Sequence, residues 1–127
     1  MTDSRFFLDS SAWLAYFLGA SGKIVDVMDS DSHSLFTSAL CLHEVSKRLK
    51  NMGKTPKQVD SAVEFIRENS IVISVDEEVA LKSVNHCLEK NLHTVDSLIY
   101  ESSIQNHCTL VTFDYDFKGL DDAIILT

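Results

Sequence analysis

Five carboxylates stand at places from which a fold can bring them together: Asp9, Glu44, Asp96, Asp114 and Asp116. Three of them fall in the stretch 93–117, HTVDSLIYESSIQNHCTLVTFDYDF. Thr94 reads as the N-cap of a helix in which Val95, Leu98, Ile99 and Ser102 follow at helical spacing, so Asp96 sits in the first turn. Asn106 and His107 break that pattern, and Cys108 to Thr112 reads as a short buried strand, rich in β-branched residues. The strand empties into Asp114 and Asp116, at the strand end where open α/β sheets place their ligands. Carboxylates converging on one crevice repel each other, and a divalent cation is the natural reason to gather them. Taken singly, each has an ordinary structural role. An Asp in a first helical turn complements the helix dipole, and an Asp after a strand serves turn geometry. Glu44 can pair with Arg48 on a helix surface, or lean over the strand ends toward Asp9.

The elements that must position these groups follow along the chain. Arg5 to Leu8 fits a strand ending at Asp9, and Ser10 and Ser11 can cap a helix with Trp13, Leu14, Phe17 and Leu18 on its apolar face and Gly19 as its stop. A short helix is predicted from Lys23 to about Ser30, burying Ile24, Val27 and Met28, and a brief strand at Leu35 to Thr37. Ser38 caps a helix from Ala39 to Met52 with Leu42, Val45, Leu49 and Met52 as its inner stripe, and Gly53 ends it. Thr55-Pro56-Lys57-Gln58 combines a cap, a proline at the first helical position and a capping-box glutamine, opening a helix to about Asn69 with Val59, Val63, Phe65 and Ile66 as its apolar residues. Ile71 to Val75 is the next strand, and Asp76 caps a helix carrying Val79, Leu81, Val84 and Leu88. Ala123 to Leu126 is the last strand. Strands alternating with helices call for a parallel sheet covered on both faces with right-handed crossovers. The expected fold is a three-layer α/β/α sandwich around a mainly parallel sheet of about five strands, forming one domain over residues 1–127.

Composition narrows the function classes. With 45% apolar and 24% charged residues the chain suits a soluble domain with its own core. No apolar run approaches the ~20 residues of a membrane span, and the N-terminus has no signal-peptide layout, so a cytoplasmic location is expected. Cys41, Cys87 and Cys108 lack zinc spacing and read as reduced thiols beside apolar residues. A net charge of −8 argues against a general polyanion-binding surface. Local binding remains open, because Lys47, Arg48, Lys50, Lys54 and Lys57 cluster in one short stretch. His43, His86, His93 and His107 lack the spacing of a catalytic pair, although His43 beside Glu44 and His93 near Asp96 stand close to the acidic set. A phosphoryl-transfer domain on a similar sheet calls for Asp-x-Asp after the first strand, where this chain has Asp9-Ser10-Ser11, and for a Gly-rich phosphate loop that its four scattered glycines do not make.

The segments FFLDSSAWLAYF, SALCLHEV and VDSLIYESSIQNHCTLVTFDYDF, in that order, resemble the PIN domain family over essentially the whole chain. The resemblance implies a metal-dependent endoribonuclease. Asp9, Glu44, Asp96 and Asp114 would be its catalytic ligands for one or two Mg²⁺ or Mn²⁺ ions, and Asp116 a secondary ligand. Ser10 and Thr112 match small hydroxyl positions that orient a carboxylate or a water. Cleavage of this kind leaves 5′-phosphate and 3′-hydroxyl ends. Within the family the chain most resembles the toxin of a VapBC toxin–antitoxin pair, which implies an RNA substrate, a small antitoxin partner and a homodimer. An RNA-processing factor outside such a pair, or a catalytically idle binding module, shares the same fold. One departure is visible: after Leu98-Ile99 the helix reads Tyr-Glu-Ser-Ser-Ile, where such toxins carry an alanine-rich helix.

Overall fold

A computed structural model describes residues 4–19, 22–29 and 31–127. In these residues five strands form one sheet: β1 (Ser4–Leu8), β2 (His33–Ser38), β3 (Ile71–Ile73), β4 (Thr109–Thr112) and β5 (Ala123–Ile125), in the spatial order β3-β2-β1-β4-β5. Every pairing is parallel, as the alternation of strands and helices predicts. Among the described residues seven α-helices connect them: α1 (Ser10–Phe17), α2 (Gly22–Asp29), α3 (Ala39–Asn51), α4 (Pro56–Asn69), α5 (Glu77–Lys82), α6 (Val84–Lys90) and α7 (Thr94–Gln105), with a 3-10 turn at Tyr115–Phe117.

The chain steps from β1 outward to β2 and β3, then returns to the other side of β1 for β4 and β5. With right-handed crossovers this reversal puts α1 to α4 on one face and α5 to α7 on the other. The packing agrees: α1 lies against α2 and α3, and α3 against α4, whereas α7 lies against α5 and α6 and crosses β2 and β4. Phe7, Leu8, Trp13, Leu110 and Val111 are buried between the layers. The neighbouring strands β1 and β4 are where the direction of winding switches, with Leu8 in register with Val111.

Most predicted ends hold to within a residue or two. The capping box of Thr55 and Gln58 forms as read, with Pro56 in the first turn. Helix α3 ends at Asn51 in a Schellman motif, Gly53 taking φ 83° while its N–H donates to Lys50 O and that of Lys54 to Leu49 O. Met52 is the C-cap where the helix gives way to that turn and is exposed, and Cys41 joins Val45 and Leu49 on the inner stripe. Leu18 likewise falls past the end of α1 and is exposed. The expected end of α2 at Ser30 lies outside the described residues.

Three expectations are corrected. Asp9, rather than Ser10 or Ser11, is the N-cap of α1, accepting from the backbone N–H of Ala12. Thr94 is the first residue of α7, and the cap position belongs to His93. The helix after Asp76 is two helices broken at Ser83, and its apolar residues Leu81, Val84 and Leu88 point outward, 67%, 48% and 77% exposed. Its inward side is instead Val79, Ser83, His86 and Cys87, matched to polar partners on α7: His86 meets Glu101 and Cys87 meets Ser97. This explains the polar Tyr-Glu-Ser-Ser run. Tyr100, Glu101, Ser102 and Ser103 are all buried, and each has a hydrogen-bond partner.

Candidate metal centre

The carboxyl ends of β1 and β4 open side by side at the switch point, the crevice position of open α/β sheets. Asp9 follows β1 directly, and Asp114 stands two residues past β4 and caps the 3-10 turn that carries Asp116. Helix α3 brings Glu44 in its second turn, and α7 brings Asp96 at its third position. Thr37, fully buried, braces the end of β1: its Oγ1 donates to Leu8 O at 2.7 Å and accepts from Trp13 Nε1 at 3.0 Å.

Asp9 is held most tightly. Its Oδ1 accepts from Ser11 Oγ at 2.6 Å and from the Ala12 N–H at 3.0 Å, and its Oδ2 accepts from Thr112 Oγ1. Ser11 Oγ in turn accepts from Phe113 N–H, and Thr112 Oγ1 from Asp114 N–H, both at 2.9 Å. Asp114 Oδ1 accepts from Asp116 N–H at 2.9 Å. One run of hydrogen bonds therefore fixes the two strand ends against each other. Thr112 takes the orienting place expected of it. The other hydroxyl is Ser11, not Ser10, because with Asp9 as the cap the second serine turns back to the carboxylate.

The charges bear on one another. Burial pushes the Asp9 carboxyl above its usual range, against the pull of hydrogen bonds from Ser11, Thr112 and Ala12, and Asp114 adds to the rise. Asp96 is raised from 3.8 to about 6, first by burial and then by Asp114, Glu44 and Asp9, with His93 pulling the other way. Asp9, Glu44 and Asp114 are thus all within electrostatic reach of Asp96, and Asp114 of Asp9. Asp116 joins through Asp96, since His93, Asp96 and Asp116 each offer a ligand atom within 4.8 Å of the others. The donor set is hard oxygen with one adjacent nitrogen, which fits a divalent cation.

A cleft of about 690 Å³ adjoins the group, lined by Leu14, Val95 and Phe113, by the carboxylates Glu44 and Asp114, and by Lys47 and Arg48. Glu44 and Arg48 both line it, and among the described residues they form no ion pair. The basic cluster divides. Lys47 and Lys50 flank a second groove of about 560 Å³ with His43 and Arg67, whereas Lys54 and Lys57 border an apolar groove of Tyr16, Phe17 and Phe65. The thiols are poor nucleophiles or ligands here: Cys41 is buried beside the end of β1 and pushed up to about 12, chiefly by that burial, and all three cysteines are free of disulfides.

The model of a sequence family described as the PIN domain matches residues 6–123. The chain belongs to the PIN domain family. Solved structures share its fold at low identity. A toxin–antitoxin complex from Klebsiella pneumoniae superposes with TM-score 0.76 at 18% identity, over 93% of this chain and 94% of that one. VapBC2 from Rickettsia felis, solved bound to a promoter DNA fragment, gives 0.75 at 16%, over 96% and 97%. The sarcin–ricin-loop-cleaving toxin VapC20 of Mycobacterium tuberculosis gives 0.74 at 15%, over 91% and 95%. No curated protein matches this PIN domain by sequence.

Proposed function

We propose that this PIN domain is a divalent-metal-dependent endoribonuclease, acting as the toxin of a toxin–antitoxin pair in the cytoplasm, with Asp9, Glu44, Asp96 and Asp114 as its catalytic metal ligands and Asp116 as a further ligand. The observation that carries the reading is the gathering of Asp9, Glu44 and Asp114 around Asp96 at the β1/β4 switch point, with Asp116 beside Asp96. A divalent cation, Mg²⁺ or Mn²⁺, held there supplies Lewis acidity and lowers the pKa of a water at neutral pH. The chain's own contributions are positional. Ser11 and Thr112 lock Asp9, leaving Oδ2 as its freer oxygen, and the first turn of α7 presents Asp96. Lys47 and Arg48 on the cleft wall suit the phosphates of an RNA strand lying across the acidic end.

Partner surfaces support the toxin reading. The apolar groove lined by Tyr16, Phe17, Leu49 and Phe65, about 530 Å³, suits an apolar segment of a small antitoxin. The outward Leu81, Val84 and Leu88 suit a second copy of the chain in a homodimer. No helix is long and apolar enough to cross a membrane among the described residues.

The test is cleavage of structured RNA by purified protein, with end analysis of the products. Glu44→Gln and Asp96→Asn should each abolish cleavage while the fold persists, and Cys41→Ser and Cys108→Ser should leave the chemical step unchanged. Products should carry 5′-phosphates. Full-rate cleavage in EDTA would refute the metal-dependent mechanism.

A further inference from the structure

We propose that His93 is itself a ligand of the metal centre, and that its imidazole gives this chain a preference for divalent transition metals over Mg²⁺. The inference deepens the reading above and rests on it.

His93 occupies the N-cap position of α7, φ −65° and ψ 159°, yet its side chain makes no capping hydrogen bond. A residue at the cap stands beside the third residue of the first turn, which here is Asp96. The ring nitrogen, an Asp96 oxygen and an Asp116 oxygen all lie within 4.8 Å of one another, while among the described residues His93 forms no ion pair. Atoms bound to one ion at ~2.1 Å are separated by roughly 3 Å when adjacent and roughly 4.2 Å when opposite. The 4.8 Å bound is close to the span of one coordination sphere, and His93 and Asp116 are both exposed, which leaves their side chains free to settle on a shared ion.

Competition for these side chains is low. Asp116 is placed by its backbone, whose N–H donates to Asp114 Oδ1, and its carboxylate has no hydrogen-bond partner among the described residues. Asp9 is the opposite case: Oδ1 already accepts two hydrogen bonds and Oδ2 a third, so it has at most one oxygen to offer. The centre then gains its accessible donors on the α7 side, and one of them is nitrogen. Mg²⁺ takes oxygen ligands and dehydrates reluctantly, whereas divalent transition metals accept imidazole nitrogen more readily, Mn²⁺ the least strongly of the first-row series but still more than Mg²⁺.

The experiment uses the full chain loaded with Mn²⁺ and read by pulsed electron paramagnetic resonance, beside competition titrations of Mn²⁺ against Mg²⁺. Wild type should show ¹⁴N coupling to bound Mn²⁺, and His93→Ala should lose it. Mn²⁺ affinity should fall about tenfold or more in His93→Ala, and Mg²⁺ affinity by no more than about threefold. Circular dichroism checks that the variant folds. Mn²⁺ bound without ¹⁴N coupling in wild type, coupling that persists in His93→Ala through a neighbour such as His43, or parallel losses for both ions would each overturn the role of His93 and leave the ribonuclease reading standing. Absence of any Mn²⁺ binding by wild type would overturn both.

Discussion

His86 Nε2 stands 2.8 Å from Glu101 Oε1, both side chains largely buried, and the contact joins α6 to the helix that carries Asp96. Glu101 also accepts from Gln105 Nε2 at 3.0 Å, and the His86 ring meets Tyr100 edge-on at 4.8 Å. Removing one member of such a pair leaves the other without its partner in a poorly solvated place. Glu101→Ala should cost about 2–4 kcal/mol in urea unfolding. A double-mutant cycle with His86→Ala should give a coupling above about 1 kcal/mol, and an additive cycle would show that the helices are held by apolar contact alone.

Thr112 holds Asp9 in place in the proposed site, since its one hydroxyl donates to Asp9 and accepts from Asp114 N–H. Thr112→Val keeps the shape and removes both bonds. Metal affinity should drop about 10- to 100-fold, and stability by about 1–3 kcal/mol, with Thr112→Ser restoring most of each. Isothermal titration with Mn²⁺ reads the first effect and urea unfolding the second. Equal affinity in Thr112→Val and wild type would mean that Asp9 needs no orientation.

The architecture was legible in the sequence because each site carboxylate sits at a junction that local chemistry marks: a strand end, a first helical turn, a capped helix. The parallel sheet followed from alternation, and it alone placed Asp9 beside Asp114. What stayed hidden was decided by facing surfaces. Leu81, Val84 and Leu88 are the apolar residues the sequence offers in this segment, yet the neighbouring α7 offers polar groups, so His86, Cys87 and Ser83 turn inward instead. The choice between Ser10 and Ser11 depends on which residue caps α1, a matter of one residue that periodicity does not fix. The Tyr100 hydroxyl bonding to Asp121 O, and the proximity of His93 to Asp116, join segments far apart in sequence and leave no local signal.

Asp96 gives the metal-free protein a pH signature. Its pKa is raised by folding, from 3.8 to about 6, so the native state holds that proton when the unfolded chain has released it. Stability from this group is full below the lower value and is lost as pH rises through the upper one. In EDTA, the difference in unfolding free energy between wild type and Asp96→Asn should therefore decline across that window and level off above it. A difference that stays flat would show that neither burial nor crowding acts on Asp96.

Metal should reverse that penalty. A ligand bound only by the native state stabilises it by RT ln(1 + [L]/Kd), roughly 1–3 kcal/mol at ten to a hundred times Kd. Asp96→Asn should melt at or above wild type without metal, because one repelling charge is gone, and should gain little from Mn²⁺. Equal metal-induced shifts in the two proteins would remove Asp96 from the ligand set.

The division of the basic cluster makes the last expectation specific. Lys47 and Lys50 line the groove between α3 and α4 with Arg67, and Lys47 also faces the acidic cleft, so an RNA strand leaving that cleft meets both lysines. Lys54 and Lys57 border the apolar groove beside Phe17 and Phe65, away from that path. Among the described residues none of these four lysines is in an ion pair, so each is available to phosphate. Each phosphate contact on a single strand contributes about 0.7 to the slope of log affinity against log salt. Lys47→Ala with Lys50→Ala should lower that slope by about 1.4 and weaken binding of a cleavage-dead Asp96→Asn protein to RNA. Lys54→Ala with Lys57→Ala should leave the slope as it is. The reverse pattern in a filter-binding salt titration would move the RNA path from the α3–α4 groove to the apolar one.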